Sequence, residues 1–149
     1  MLSVGEKFPE FELQDQDGNT VSSKSLAGSK YVIYFYPKDD TPGCTTEACE
    51  FRDSIGRFKG IKVFGVSPDS VASHKKFADK FGLPFPLLAD EGHRLAEACG
   101  VWGEKSLYGK KYMGVFRTTF VVGPDGKIEQ VWQNVKPDGH AQQVLESLG

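Results

Sequence analysis

The apolar positions change period along the chain, and each change marks an element. In "FELQDQDGNTV" (11–21) they alternate weakly around Asp17-Gly18, a dipeptide that favours a tight hairpin turn. "YVIYFY" (31–36) is apolar throughout, as expected of a central strand covered on both faces. From Cys44 to Lys59 the period becomes helical, with Cys44 heading a stripe of Ala48, Phe51, Ile55 and Phe58. "IKVFGVS" (61–67) predicts the next strand. Residues 70–82 predict a second helix with Val71, Ala78 and Phe81 turned inward. "LPFPLLAD" (83–90) carries two prolines and so allows only an edge strand or an extended connection. A short helix follows around 93–99. "RTTFVVGPDGKIEQVWQ" (117–133) reads as a hairpin about Pro124-Asp125-Gly126, and a last helix runs through about 138–148.

Strands and helices that alternate first and end in a hairpin and a helix give βαβ followed by ββα. That order predicts an α/β protein with a mixed central sheet flanked by helices, in the thioredoxin-like arrangement. The N-terminal hairpin is an addition, and the segment between the two halves is an insertion. Residues 1–149 are read as one domain, with no repeat or linker. "GEKSLYGKKYMG" (103–114) is rich in Gly and Lys but lacks phosphate-loop spacing, and is expected to be a loop on the surface or a pocket wall.

Composition narrows the possible partners. A chain of 149 residues buries roughly 68–70% of its unfolded surface, enough for a core without disulfide staples. The net charge is −2, with Lys and Arg scattered, which argues against nucleic acid or an anionic membrane as partner. No apolar run approaches the ~20 residues that span a bilayer. The first residues carry Glu6 and Lys7 without an apolar export stretch, so a cytoplasmic protein is expected. Three cysteines, an odd number, suggest reactive or incidental thiols rather than a disulfide framework.

Cys44 has the most suggestive position. The strand 31–36 ends at Pro37, the loop "KDDTPG" follows, and the helix is expected to begin near Gly43. Cys44 would then lie in the first helical turn, at the sheet edge where open α/β folds place their sites. Backbone N–H groups there lack helical partners and the helix dipole is positive, so a thiolate is favoured over a thiol. A packed cysteine on an apolar stripe is the plain alternative. Thr41, Pro42 and Gly43 count against it, because they shape a tight approach where N–H groups and a hydroxyl converge.

"PKDDTPGC" carries the P-x-x-x-T-x-x-C pattern of peroxiredoxins in Pro37, Thr41 and Cys44. "TPGCTTEACEFRD" and "GVWGEKSLYGKKYMGVFRTTFVV" (100–122) resemble the bacterioferritin comigratory protein, or Q-type, branch over essentially the whole chain. The resemblance implies a thiol peroxidase acting on hydrogen peroxide and organic hydroperoxides without a cofactor or metal, recharged by thioredoxin or a glutaredoxin-like reductant, and often monomeric. It makes Cys44 the peroxidatic cysteine, with Thr41 bonding the peroxide or thiolate. Pro37 would shield the sulfur, and Arg117 would be the active-site arginine. A sulfenic acid on Cys44 can condense with another thiol, and Cys49 is the candidate. Five helical residues place two side chains about 140° apart with ~7.5 Å of rise. That exceeds the ~7 Å Cα separation a disulfide tolerates. The helix start is therefore expected to unwind before the two sulfurs join. Its Pro, Gly and threonines, all weak helix formers, suit that change.

The remaining candidates have plainer readings. Cys99 matches no family motif and is expected to pack. His74 is expected to be a satisfied histidine near an apolar face, His93 a helix start and His140 a surface residue. Asp39, Asp40 and Glu47 read as solvated loop charges. Three rival functions differ in chemistry. A thioredoxin-type disulfide reductase would want C-x-x-C, whereas the spacing here is C-x₄-C. A metal-binding or copper-delivery module would need sulfurs that converge, and helical spacing turns them apart. A peroxide sensor shares the first chemical step and differs only in what reduces the disulfide.

Overall fold

A computed structural model describes residues 1–148. Two short strands, β1 (Glu12–Gln14) and β2 (Thr20–Ser22), pair antiparallel as the predicted hairpin. A turn of helix the apolar period did not reveal, α1 (Ser23–Leu26), follows and buries only Leu26. Then come β3 (Tyr31–Phe35), α2 (Pro42–Ser54), β4 (Lys62–Ser67), α3 (Val71–Phe81), β5 (Leu87–Ala89) and α4 (Arg94–Ala98). The chain closes with β6 (Trp102–Leu107), β7 (Lys110–Val115), β8 (Thr118–Val122), β9 (Ile128–Trp132) and α5 (His140–Ser147). The main sheet has the order β5-β4-β3-β8-β9, with β3, β4 and β5 parallel and β8 and β9 antiparallel. The mixed α/β architecture is the expected one, and the two prolines do confine β5 to the edge.

Strand β3 explains how the layers form. All five of its residues are buried, and alternate side chains enter different cores. Tyr31, Ile33 and Phe35 meet Phe8, Phe120 and Leu95 on one face. Val32, Tyr34 and Tyr36 meet Cys44, Ala48 and Phe51 of α2 and Phe77 of α3 on the other. The Tyr34 ring stacks on Phe51 at 4.8 Å between centroids, which fixes α2 against the sheet. Register then positions the site. Phe35 pairs with Thr118, so the next residues outward, Tyr36 and Arg117, leave the sheet at one edge. The N-terminus of α2 begins beside that edge.

Three sequence expectations change in detail. The helical stripe from Cys44 to Lys59 divides, because α2 ends at Ser54 and a 3-10 turn covers Ile55–Phe58. On α3 the inward residues are His74, Phe77 and Ala78, while Val71 and Phe81 are only half-buried. Residues 103–114 are mostly strand: β6 and β7 pair in register from Trp102↔Val115 to Leu107↔Lys110. Glycine concealed this hairpin, since Gly103 and Gly114 interrupt the alternation that marks a strand. No helix among the described residues is long and apolar enough to cross a membrane.

Candidate active site

Six residues, Tyr36–Thr41, link β3 to α2. Thr41 is the N-cap residue in extended conformation, and Pro42 takes the first helical position, where its missing N–H costs nothing. Cys44 is the third helical residue, so its own N–H belongs to the set without an intrahelical partner. The residue is almost fully buried, at 1% exposure. The Thr41 hydroxyl makes no cap bond and instead donates to the Lys38 carbonyl at 2.9 Å. Pro37 is half-buried at the mouth of the same loop.

Arg117 reaches this helix end from the start of β8. Its Nη2 donates to Cys44 Sγ at 3.4 Å, and its Nη1 donates to Glu47 Oε1 at 2.8 Å. Glu47 stands three residues after Cys44, so the two share a helix face and one planar guanidinium spans both. Gly43 makes room for the approach: a Cβ there would lie 3.1 Å from Arg117 Nη2 and 3.3 Å from Pro137 Cγ. Burial alone would disfavour the Arg117 cation, but Glu47 and Cys44 outweigh it and push its pKa up. From the β6–β7 hairpin, Lys105 brings a second cation, its Nζ donating to the Val115 carbonyl at 2.6 Å. Burial first, then the Arg117 charge, lowers its pKa.

Glu47 corrects a sequence reading. It is not a solvated loop charge but a buried carboxyl at 1% exposure on the inner face of α2. Its placement one turn from Cys44 and one residue before Ala48 of the apolar stripe was the available signal. Burial pushes its pKa up to about 7, against the pull of Arg117. The sign of the consequence follows from linkage. Between the ordinary carboxylate range and pH 7 the folded chain keeps a proton that the unfolded chain releases, so this group's contribution to stability falls as pH rises. Glu47→Gln is expected to remove that part of the slope, an effect on the order of 2–3 kcal/mol between pH 5 and pH 7.5. Urea midpoints of both proteins across that range would check it. Parallel midpoints would contradict the burial effect.

The other predicted residues fall as follows. Cys49 is half-buried on the same unbroken helix as Cys44, and all three cysteines are free thiols. Cys99 is fully buried in the opposite core, where burial first and Asp90 second push its pKa far up. It packs, as expected. His93 is the N-cap residue of α4. His140 is not on the surface: it is 2% exposed, Nε2 lies 2.7 Å from Thr119 Oγ1, and burial lowers its pKa. Asp39 is likewise buried, at 8%, whereas Asp40 is exposed and ion-paired with Lys80 at 2.8 Å.

Comparison with known proteins places this geometry in a family. The chain matches the AhpC/TSA family over residues 4–131, and it belongs to that family. Within it, the chain is a homologue of the Bcp/PrxQ peroxiredoxins. It is 46% identical over 149 residues to the peroxiredoxin Bcp of Bacillus subtilis, covering 99% of this chain and 95% of that one. It is 44% identical to the peroxiredoxin Bcp of Escherichia coli K12, covering 99% and 96%. Among solved structures, a cysteine-to-serine mutant of Xylella fastidiosa PrxQ superposes with TM-score 0.93 at 36% identity, covering 99% of this chain and 96% of that one. The bacterioferritin comigratory protein of Xanthomonas campestris, whose structures concern its alkyl peroxide reduction, superposes with TM-score 0.91 at 41% identity, covering 98% and 97%.

Proposed function

We propose that this chain is a thiol peroxidase in which Cys44 reduces hydrogen peroxide and organic hydroperoxides and Cys49 resolves the product. The observation that carries the proposal is the Arg117 fork closing on Cys44 Sγ at a helix N-terminus. The Cys44 thiolate attacks one peroxide oxygen, the O–O bond breaks, and the other oxygen leaves with the electron pair as alkoxide or hydroxide. It then takes a proton, giving alcohol or water and a sulfenic acid on Cys44. Negative charge moves from sulfur to the departing oxygen, so donors fixed along that line matter most in the transition state. Arg117 is such a donor. The Thr41 hydroxyl gives its proton to the Lys38 carbonyl, which leaves its lone pairs to accept from the peroxide O–H. Pro37, half-buried at the loop's mouth, limits water around the sulfur.

Cys49 then attacks the Cys44 sulfur and releases water, forming a disulfide. Helix α2 is continuous over both residues, so its first turns unwind for that step. A dithiol reductant of the thioredoxin or glutaredoxin type reopens the bond, and a monomer in the cytoplasm suffices for the cycle. The copper-delivery reading finds no support: the one His/Cys/Asp/Glu grouping at metal-ligating distances among the described residues, Asp39, Asp69 and His74, contains no cysteine. Cys49→Ser provides the test. The reduced variant is expected to consume one equivalent of hydrogen peroxide at the normal rate and then stop turning over with thioredoxin and its reductase. Unchanged steady-state turnover would remove Cys49 from the mechanism.

A further inference from the structure

Behind the loop that carries Pro37 and Thr41 lies a buried polar cluster that the peroxide reaction does not use. At its centre is His74 on α3, with no exposed surface. Its Nε2 lies 2.9 Å from the Leu88 carbonyl and its Nδ1 lies 2.7 Å from Asp39 Oδ2. A carbonyl can only accept, so Nε2 carries a proton. The second contact also needs one proton between its atoms. Asp39 already accepts from Tyr36 Oη at 2.6 Å through Oδ1 and from Ser73 Oγ at 2.8 Å through Oδ2. Three side chains, Tyr36, Ser73 and His74, therefore converge on the Asp39 carboxyl. The ligand atoms of Asp39, Asp69 and His74 lie within 4.8 Å of one another, but both ring nitrogens are already engaged in hydrogen bonds within the protein.

What the pair holds is the middle of the active-site loop. The Asp39 N–H donates to Asp69 Oδ2 at 2.8 Å, and the Ser67 hydroxyl donates to the same oxygen at 2.6 Å. Next to it, Asp40 is left-handed, with φ 58°, and its carboxylate meets Lys80. Thr41 bonds the carbonyl of Lys38, the residue before Asp39. The place of the Thr41 hydroxyl is thereby referred to α3 through Asp39. We infer that His74 and Asp39 form a positioning latch for the peroxide pocket, one that stays closed while the first turns of α2 unwind and return. The inference rests on Cys44 being the peroxide nucleophile. It concerns residues that touch neither the sulfur nor the peroxide.

The test compares two reagents at one sulfur. For His74→Gln, the single-turnover rate with hydrogen peroxide is expected to drop about ten- to a hundredfold, as small misplacements of positioning groups do. Alkylation of Cys44 by iodoacetamide, which does not need the Thr41 hydroxyl, should stay unchanged. Ser73→Ala, which removes one neutral bond to Asp39, is expected to give a peroxide-only loss of about two- to fivefold, and it serves if His74→Gln does not fold. Peroxide rates like those of the wild type would overturn the latch, as would peroxide and alkylation rates that fall together. If the wild-type Cys44 itself fails to react with peroxide, the nucleophile assignment fails instead.

Discussion

Cys44→Ser is expected to reduce peroxide consumption to the uncatalysed background, a loss of roughly 10³-fold or more. A serine hydroxyl at that position is not ionised at neutral pH and is a poor nucleophile toward an O–O bond. Neither remaining thiol can substitute. Cys49 lies five residues further along α2, away from Arg117, and Cys99 is fully buried in the other core with its pKa raised by burial. The fold should survive, because serine is smaller than cysteine and Arg117 can bond its oxygen. Hydrogen peroxide consumption coupled to a thioredoxin system would measure the loss. Substantial residual turnover would transfer the chemistry to another thiol.

Arg117→Met is the second large effect expected, a fall of about 10²–10³ in kcat/KM for peroxide, the usual result of removing one preorganised donor from a developing charge. Methionine keeps much of the side-chain bulk while removing both donors. Glu47 loses its cation in this variant but need not remain charged. Burial already pushes its pKa up to about 7, and removing the Arg117 charge takes away the pull that opposes burial, so the carboxyl can take up a proton instead of remaining an unpaired buried charge. Arg117→Lys should fall between the two proteins. Its ammonium keeps the charge but cannot reach Cys44 Sγ and Glu47 Oε1 with the fixed geometry of a guanidinium. Rate constants for hydrogen peroxide with the reduced variants decide the matter, and a wild-type rate in Arg117→Met would remove the arginine from the reaction.

Most of the architecture could be read from periodicity, because β3, β4, α2 and β8 each bury a face that writes itself into the sequence. The apolar run 31–36 became the central strand, and the stripe from Cys44 became α2. Positions that depend on tertiary contacts could not be read this way. Glu47 and Asp39 look like ordinary solvated acids until the fold supplies Arg117 from 70 residues away and His74 from 35 residues away. His140 looks exposed until Phe51 and Trp132 close over it at ring distances of 6.1 and 5.7 Å. The β6–β7 hairpin failed the period-2 test because glycines interrupt its alternation. Among the site residues, Cys44, Thr41 and Pro37 announce themselves by local pattern, whereas the Arg117 contact with Cys44 is created only by the β3–β8 register.

The proposed redox couple joins Cys44 to Cys49, and α2 must unwind for the two sulfurs to meet. Trypsin releases Asp39–Arg52 as a single peptide holding both residues, with Cys99 on another. Reduced protein would receive one equivalent of hydrogen peroxide, remaining thiols would be alkylated, and that peptide would be weighed. A peptide lighter by two hydrogens and free of label, with Cys99 labelled, is the predicted result. Label on both Cys44 and Cys49 would show that Cys44 is not the peroxide nucleophile and that the two do not form the couple.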